Sequence, residues 1–387
     1  CTGGHTRIWK NSTSRKDENT GDGYHLALKA GCELSDMEMI QFHPTGMVFP
    51  TELRGTLVTE AVRGEGGILL NSNGERYMSK YDSKRLELST RDRVAKANYT
   101  EIIEGRGTKN GGVFLDISHK NKDIIIKKIP KIYRHFIENS LIDISKKPME
   151  VSPTAHYSMG GIKINSLDHS TKIEGLFSAG EAASGLHGAN RLGGNSLAEI
   201  LIFGAHAGRA AAKFSKSLTS QLRDNDTISL AHEYLNYSIS EGDENVYLLK
   251  SELRDLMWNY CGVIRDKQSL IKGIEKLDNL KSLLPKIDIR LGHYNQSDLI
   301  NKLDFHSSLV TAKVTILSAL EREESRGAHQ RKDFKKTEKE FKFNINISMK
   351  NNEFIIKKSS TKKLNTEIIS YLKKAKKTEE GSKKLLE

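Results

Sequence analysis

The feature that most constrains this chain is a glycine-rich loop between a strand-like segment and a long apolar helix. Residues 171–181 have the pattern of a buried strand that ends at Glu181, and the loop 185–194 follows. Ser196 and Glu199 have capping-box spacing, which predicts the start of the helix. Glycine lets backbone approach a ligand, a strand-end carboxylate accepts hydrogen bonds from sugar hydroxyls, and a helix N-terminus attracts anions. The pattern is typical of a nucleotide site.

An ordinary strand–loop–helix turn would have the same pattern, so this alternative stays open. The GxGxxG motif that opens many dinucleotide folds does not occur in the sequence. Either that motif lies upstream of Cys1 or no dinucleotide is bound. The opening Cys-Thr-Gly-Gly contains no initiator Met and no signal segment, so we expect the chain to be a piece of something longer.

Composition excludes several classes of protein. A length of 387 residues suggests two or three domains, and a 37% hydrophobic content excludes a wholly disordered chain. No run of 18 apolar residues is present, which argues against a transmembrane helix. The three cysteines lie far apart, so we expect neither a disulfide framework nor a cysteine-ligated cluster, no metal site, and a reducing compartment.

The net charge of +12 is concentrated at one end of the chain. Residues 331–387 hold 17 Lys and Arg against 8 Asp and Glu, which gives +9 of the total. The rest of the chain is close to balanced, so a uniformly basic nucleic-acid-binding surface is not indicated. We interpret the basic segment as a solvated tail.

Local patterns predict further elements. Residues 20–31 favour a short helix capped by Asp22 and ended by Gly31. Pro130 interrupts a helical pattern between residues 122 and 141. The remaining predictions are a strand over 112–117, amphipathic helices over 228–283 and 298–325, and a hairpin over 341–356 that turns at Asn351-Asn352.

A second group of residues is polar and cationic, and its members lie in turns rich in glycine or proline. Such turns present side chains to a cleft. Two arginines, two histidines and a threonine hydroxyl suit a small dianion, because the guanidinium fork matches a carboxylate. Taken singly, each histidine could be a capping or core residue and each arginine could be a surface charge. The candidates are His43, Thr59, Glu60, Arg63, Arg91, His156 and Arg191.

These motifs carry a family resemblance. In order, they are Thr-Gly-Asp-Gly, Gln-Phe-His-Pro-Thr-Gly, Thr-Glu-Ala-Val-Arg-Gly-Glu-Gly-Gly, Pro-Thr-Ala-His-Tyr-Ser-Met-Gly-Gly, Ser-Ala-Gly-Glu, His-Gly-Ala-Asn-Arg-Leu-Gly-Gly-Asn-Ser and Glu-Ser-Arg-Gly-Ala-His. The chain resembles the flavoprotein subunit of succinate dehydrogenase and fumarate reductase, from Cys1 to about residue 345. The family's N-terminal segment, with its GxGxxG and the histidine that commonly bonds the flavin, is missing here, so covalent attachment is not testable from this sequence.

The resemblance implies an α/β plus α fold. A Rossmann-like FAD-binding domain that lacks its first strands would comprise 1–39 and 154–216. An α+β capping domain, 40–153, would be inserted into it. A helical domain, 217–330, and a C-terminal extension with a basic tail, 331–387, would follow.

The resemblance also implies roles for individual residues. In the family, hydride passes between a substrate carbon and flavin N5 while a proton moves at the neighbouring carbon. Arg91 matches the proton-transferring residue, and Glu60 and Arg63 match its relay to solvent. The dicarboxylate ligands correspond to His43, Thr59, His156 and Arg191. The FAD contacts correspond to Gly3, Gly4, Asp22, Glu181, Arg191, Ser196 and Leu197.

The family's partners follow in the same way. Reduced flavin passes its electrons on singly, and this chain has no cluster-ligand spacing such as CxxC. The resemblance implies an iron–sulfur subunit, and through it a membrane anchor and quinone. We therefore expect peripheral attachment at the cytoplasmic face of the membrane and no nucleic-acid partner.

Two alternatives remain. L-aspartate oxidase, a FAD-dependent relative, shares much of the pattern, including the segment 114–119. Gly46 and Met159 favour succinate dehydrogenase and fumarate reductase. A non-catalytic, basic-tailed binding protein with a flavin fold is the other alternative, and the presence of Arg91, Glu60 and Arg63 argues against it.

Overall fold

The computed structural model describes residues 1–15, 18–220, 224–289, 296–361 and 365–374. Its α-helices are α1 (Asp22–Lys29), α2 (Ala61–Gly64), α3 (Met78–Tyr81), α4 (Arg91–Glu101), α5 (Lys122–Lys128), α6 (Pro130–Ser140), α7 (Asn195–Ser217), α8 (Asn225–Ser238), α9 (Val246–Tyr260), α10 (Lys267–Leu283) and α11 (Ser297–Glu321). Its strands are β1 (Leu34–Ser35), β2 (Ile40–Met47), β3 (Ile68–Leu70), β4 (Val113–Asp116), β5 (Met149–Ser158), β6 (Gly161–Ile162), β7 (Phe343–Lys350) and β8 (Glu353–Ser360).

The first antiparallel sheet has the strand order β2-β5-β4-β3. Its core side chains, among them Leu69, Leu115, Met149 and Val151, are fully buried and form one apolar cluster with Phe136 of α6. Burial of each such side chain is worth about 1.5–3 kcal/mol. The predicted strand over 112–117 and the helix break at Pro130 are both confirmed.

The second antiparallel sheet, β6-β1-β7-β8, joins the C-terminal hairpin to the start of the chain. Period-two alternation places Ile345 and Ile347 in the core. Asn351 and Asn352 adopt positive φ at the turn, so the predicted hairpin is confirmed.

Buried Arg322, which follows α11, fixes the approach to β2. Its Nε donates to Glu38 Oε1 at 2.5 Å and its Nη2 donates to the Phe343 carbonyl at 3.0 Å. Glu38 lies two residues before β2. The C-terminal region therefore helps to hold the strand that leads into the site.

Helices α9, α10 and α11 pack together around one apolar cluster, and they confirm the helices predicted within 228–283 and 298–325. Leu253, Leu277 and Phe305 are buried where these helices meet. Trp9 is completely buried against the same cluster, and its indole Nε1 donates to the Cys261 carbonyl at 2.9 Å. The first residues of the chain are thereby packed against the helical layer.

The predicted strand over 171–181 is wrong. Thr171 N donates to the Leu176 carbonyl at 2.8 Å and Leu176 N donates to the Ile173 carbonyl at 3.1 Å, so local turns satisfy this backbone. Gly175, at φ 78°, makes the chain reversal. A short 3₁₀ turn, Gly180–Ala182, stands where the strand was expected to end.

Two predicted helix caps are also wrong. Helix α1 begins after Gly21 at φ 91°, and Asp22 Oδ2 accepts from Thr20 Oγ1 at 2.6 Å instead of capping the helix. Gly31, at φ 96°, does occupy the left-handed conformation predicted just past its C-terminus. Helix α7 begins after Gly194, so Ser196 lies within its first turn and no capping box forms.

No helix in the described part of the chain is long and apolar enough to cross a membrane.

Candidate functional site

Two β-bulges place the two candidate histidines side by side. Gln41 pairs with Tyr157 whereas Phe42 pairs with Ala155, so His156 is the extra residue on β5. A second irregularity follows His43 on β2, where Pro44 lacks an N–H for the ladder. Bulges re-aim side chains, and here the two imidazole centroids lie 5.4 Å apart.

Both imidazoles are held neutral by their surroundings. Burial, followed by electrostatic interactions with His156, Arg91 and Arg63, lowers the pKa of His43 well below its usual value. Burial, followed by the charges of Arg191 and Arg91, lowers the pKa of His156 to about 4. Thr45 N donates to His43 Nδ1 at 3.2 Å, and the Thr13 hydroxyl lies 2.9 Å from His156 Nδ1.

Arg191 comes from the glycine-rich loop and is 4% exposed. Its guanidinium lies over the Tyr157 ring, with Cζ 4.4 Å from the ring centroid, and its Nη1 donates to Ser196 Oγ at 3.1 Å. Its buried Nε finds no hydrogen-bond partner among the described residues. An orphaned donor of this kind is what an anionic ligand would satisfy.

Arg91 is the first residue of α4 and faces the same space. Its Nε and Nη2 lie 2.9 and 2.8 Å from Glu60 Oε2. A Cβ added at Gly193 would lie 3.1 Å from Arg91 Nη2, so the glycine lets the loop pass close to this arginine. Arg91 of α4 and Arg191 of the glycine-rich loop thus approach one space, where both donate to Gln41 Oε1.

Two predicted residues have a looser relation to this cluster: Arg63, which was assigned to the proton relay, and Thr59, which was assigned to the substrate. Arg63 is buried, and its Nη1 donates to the Glu87 carbonyl at 2.6 Å. Among the described residues, Arg63 makes no hydrogen bond to Glu60. Burial lowers the pKa of Arg63, and the negative charge of Glu60 partly offsets that lowering. Thr59 directly precedes Glu60 in the loop before α2.

The predicted cofactor residues form two groups. Glu181 and Gly4 are in contact, since a Cβ at Gly4 would lie 2.6 Å from Glu181 Oε1. Ser158 N donates to that carboxylate oxygen at 2.8 Å, and burial raises the pKa of Glu181 to about 7. Gly3, at φ 73°, adjoins Gly4, and Asp22 begins the nearby helix α1.

The second group is Arg191, Ser196 and Leu197 at the start of α7. Leu197 is 66% exposed. Cβ atoms added at Gly185, Gly188 or Gly194 would meet nothing within 4 Å, so the loop borders open space. A Cβ at Gly180 would lie 3.3 Å from Ile200, which packs the Glu181 turn on α7 and brings the two groups together.

Sequence reasoning missed several residues of the site. Glu199 was predicted to cap α7, but its buried carboxylate accepts from Tyr157 and lies 2.8 Å from His187 Nε2. Gln41 joins both arginines. Gln41, Tyr157 and His187 all stand inside the motifs that carried the resemblance, which is the signal that could have found them.

In the described part of the chain, no group of three or more His, Cys, Asp or Glu side chains could hold a metal ion. Cys1 is exposed, Cys32 and Cys261 are buried, and all three are free.

Comparison with known proteins adds two family matches. Residues 2–197 match the family model described as "FAD binding domain", and residues 250–378 match the model "Fumarate reductase flavoprotein C-term".

Among curated proteins, one of the subunits of the fumarate reductase (CoM/CoB) of Methanothermobacter marburgensis is 45% identical over 339 residues, covering 87% of this chain and 61% of that protein. The 8-methylmenaquinol:fumarate reductase flavoprotein subunit of Wolinella succinogenes is 40% identical over 352 residues, covering 86% and 55%. The chain thus spans about three fifths of the length of such relatives.

Solved structures have the same fold. A variant of the E. coli quinol fumarate reductase FrdA superposes with a TM-score of 0.86 at 32% identity, covering 95% of this chain and 65% of that chain. The Mycobacterium smegmatis Sdh1 complex with UQ1 gives a TM-score of 0.84 at 36% identity, covering 94% and 61%. The predicted α/β plus α flavoprotein fold is confirmed.

Proposed function

The chain belongs to the family of FAD-binding flavoprotein subunits found in fumarate reductases and succinate dehydrogenases, and from that premise we propose that it interconverts succinate and fumarate. The observation that carries the proposal is the approach of Arg91 and Arg191 to one space beside two neutral histidines. In that space only Arg91 is paired with a carboxylate among the described residues, so positive charge is left for a dianion.

FAD is the cofactor of this family, and the residues present fit it. The glycine loop before α7 borders open space, and the half-buried carboxylate of Glu181 has acceptor capacity beside Gly4. We propose that Gly3, Gly4, Asp22, Glu181, Ser196 and Leu197 hold the flavin, with Arg191 beside it. When bound, FAD exchanges a hydride with a substrate carbon.

Dicarboxylate binding falls to the neutral and cationic side chains around that space. Arg191 presents its orphaned Nε, while His43 and His156 present neutral rings that can donate or accept one hydrogen bond. Thr59 would add a hydroxyl from the loop before α2. Fixed cations also stabilise charge that develops on a carboxylate when the neighbouring carbon loses its proton.

Proton movement is assigned to Arg91. Oxidation of succinate removes one hydrogen with its electron pair and one as a proton, and the carbon–carbon double bond forms from the electrons left behind. In fumarate reduction Arg91 gives that proton and regains one through Glu60; in succinate oxidation it first passes a proton to Glu60 and then takes the substrate's. An isolated guanidinium holds its protons too tightly for this. Glu60, whose carboxylate lies next to Nε and Nη2 of Arg91, is therefore needed to exchange those protons with water. Arg63 would support the pair through its charge.

Electrons must then leave through a partner, and we propose an iron–sulfur subunit that leads to quinone at a membrane, with this chain attached peripherally. The names of two relatives support different electron carriers: one is a menaquinol enzyme and the other a CoM/CoB enzyme. A thiol-coenzyme donor is therefore a second candidate. If the purified complex reduces fumarate with menaquinol but not with CoM and CoB, the quinone route is supported. If it reduces fumarate with CoM and CoB but not with menaquinol, the thiol-coenzyme route is supported.

A three-substrate assay tests the activity itself. Succinate, fumarate and L-aspartate are offered to the FAD-loaded protein with an artificial electron carrier. We expect turnover of succinate and fumarate and none of L-aspartate. The relatives named above are fumarate reductases, which does not favour the L-aspartate oxidase alternative. Turnover of L-aspartate alone would overturn the proposal.

A further inference from the structure

Gln41 on β2 lies between the two arginines of the site and is 1% exposed. Its side-chain Oε1 accepts from Arg191 Nη2 at 3.0 Å and from Arg91 Nη1 at 3.4 Å. A single neutral oxygen therefore joins two like-charged groups that come from distant parts of the chain.

The orientation of this amide is fixed from the other side. Gln41 Nε2 donates to the Arg191 carbonyl at 2.7 Å and to Asn190 Oδ1 at 3.0 Å. Since both of those partners are acceptors, the NH₂ group must face them and Oε1 must face the arginines. Asn190 Nδ2 in turn donates to Asp92 Oδ1 at 2.8 Å, beside Arg91.

The neutrality of the acceptor matters for a dianionic ligand. Two guanidinium groups that approach one space repel each other, and burial and the charge of Arg91 both lower the pKa of Arg191. A carboxylate at position 41 would relieve that repulsion, but it would also cancel part of the charge that attracts the ligand. An amide fixes the two groups and leaves their charge intact.

We propose that Gln41 is a positioning residue, which sets the separation of Arg91 and Arg191 and leaves their positive charge for the dicarboxylate. The inference rests on the proposed function. It assigns Gln41 to two effects that different substitutions separate: placement of the proton-transferring group and attraction of the dianion.

Two variants of the FAD-loaded protein divide these effects. Gln41→Met removes the acceptor without adding charge, so Arg91 is misplaced and kcat should fall about ten- to a hundredfold, with a smaller change in succinate Kd. Gln41→Glu keeps an acceptor but adds negative charge, so Kd should rise about tenfold or more, with a smaller loss of kcat. Equilibrium Kd is measured by calorimetry, independently of turnover.

Gln330→Glu is the matched control. That amide also lies between a cation and a carbonyl, because Lys96 Nζ donates to Gln330 Oε1 at 2.8 Å and Gln330 Nε2 donates to the Gly327 carbonyl at 2.8 Å. It should leave Kd and kcat within about twofold of wild type. A merely structural role for Gln41 would lower melting temperature and both parameters together, without opposite patterns in the two variants.

The outcomes separate the two proposals. If wild-type protein neither binds nor converts dicarboxylates, the proposed function fails and this inference fails with it. If wild type binds and turns over succinate but both Gln41 variants match Gln330→Glu, only the role of Gln41 is overturned. If one Gln41 variant does not fold, the other decides by its own criterion, a loss mainly in kcat for Met or mainly in binding for Glu.

Discussion

Glu60 Oε2 accepts a hydrogen bond from Arg91 Nε at 2.9 Å and forms an ion pair with Arg91 Nη2 at 2.8 Å. The Arg91 side chain is 16% exposed, whereas that of Glu60 is 50% exposed. The pair therefore leads from a sheltered guanidinium to water in a single step. Arg63, which is buried and bonded to the Glu87 carbonyl, does not extend this path by a hydrogen bond of its own to Glu60.

Glu60→Gln tests that step. An amide oxygen still accepts from Arg91 but cannot carry a proton to water, so kcat should fall about ten- to a hundredfold, with succinate Kd little changed. The control is Glu65→Gln, because the Glu65 carboxylate lies 3.9 Å from Lys128 instead. Equal steady-state rates for the two variants would show that protons reach Arg91 by another route.

Arg191→Lys tests the proposed role of Arg191 in dicarboxylate binding. Lysine keeps the charge but loses the fork that meets Gln41 and Ser196 and the flat face over Tyr157. We expect Kd for succinate to rise about tenfold or more, with a smaller fall in kcat. Exposed Arg209 on α7 supplies the control Arg209→Lys. If calorimetry finds wild-type affinity in Arg191→Lys, the dicarboxylate is held elsewhere.

Glu181→Ala tests the cofactor site. Removal of this half-buried carboxylate takes away the acceptor beside Gly4, so the flavin-to-protein ratio after purification should fall clearly below that of wild type. Glu174→Ala, at an exposed position seven residues earlier, should keep full flavin. Full yellow colour in both variants would remove Glu181 from the FAD site.

His156 gives a prediction about pH. Its pKa is lowered to about 4 by burial and then by Arg191 and Arg91, whereas in the unfolded chain it lies near 6.5. Between those values the unfolded state binds more protons, so this group lowers the free energy of unfolding as pH falls. His156→Gln should therefore lose less of that free energy than wild type between about pH 7 and pH 4. Urea titrations at each pH measure it, and an equal or larger loss in the variant would contradict this.

Local sequence patterns correctly predicted those elements whose structure depends on residues close together in the sequence. The hairpin at Asn351-Asn352 and the break at Pro130 depend on residues next to each other in sequence, and both are confirmed. The strand over 171–181 failed because its apolar residues are consistent with a strand or with a packed turn. Only the positive φ of Gly175 and the hydrogen bonds around it decide between them.

The residues of the candidate site could be predicted from the sequence only through the motifs that carry the family resemblance. Spacing alone gave no reason to bring His43 next to His156, since a bulge on each of two paired strands does this. Glu199 has the spacing of a capping residue, yet in the folded chain its carboxylate is hydrogen-bonded to Tyr157 and His187 instead. Gln41 is unremarkable in sequence, because its role depends on two arginines 50 and 150 residues away.

Arg91→Lys tests the central claim most directly. If Arg91 moves the substrate proton, it acts in the transition state, and lysine, with shorter reach and no fork to Glu60 and Gln41, should lower kcat on the order of 10³-fold. Succinate Kd, followed by titration of the flavin spectrum, should weaken far less. A variant that keeps more than about a tenth of wild-type kcat, or that loses activity only through weaker binding, would contradict the account and assign the proton to another residue, with His156 the first to test.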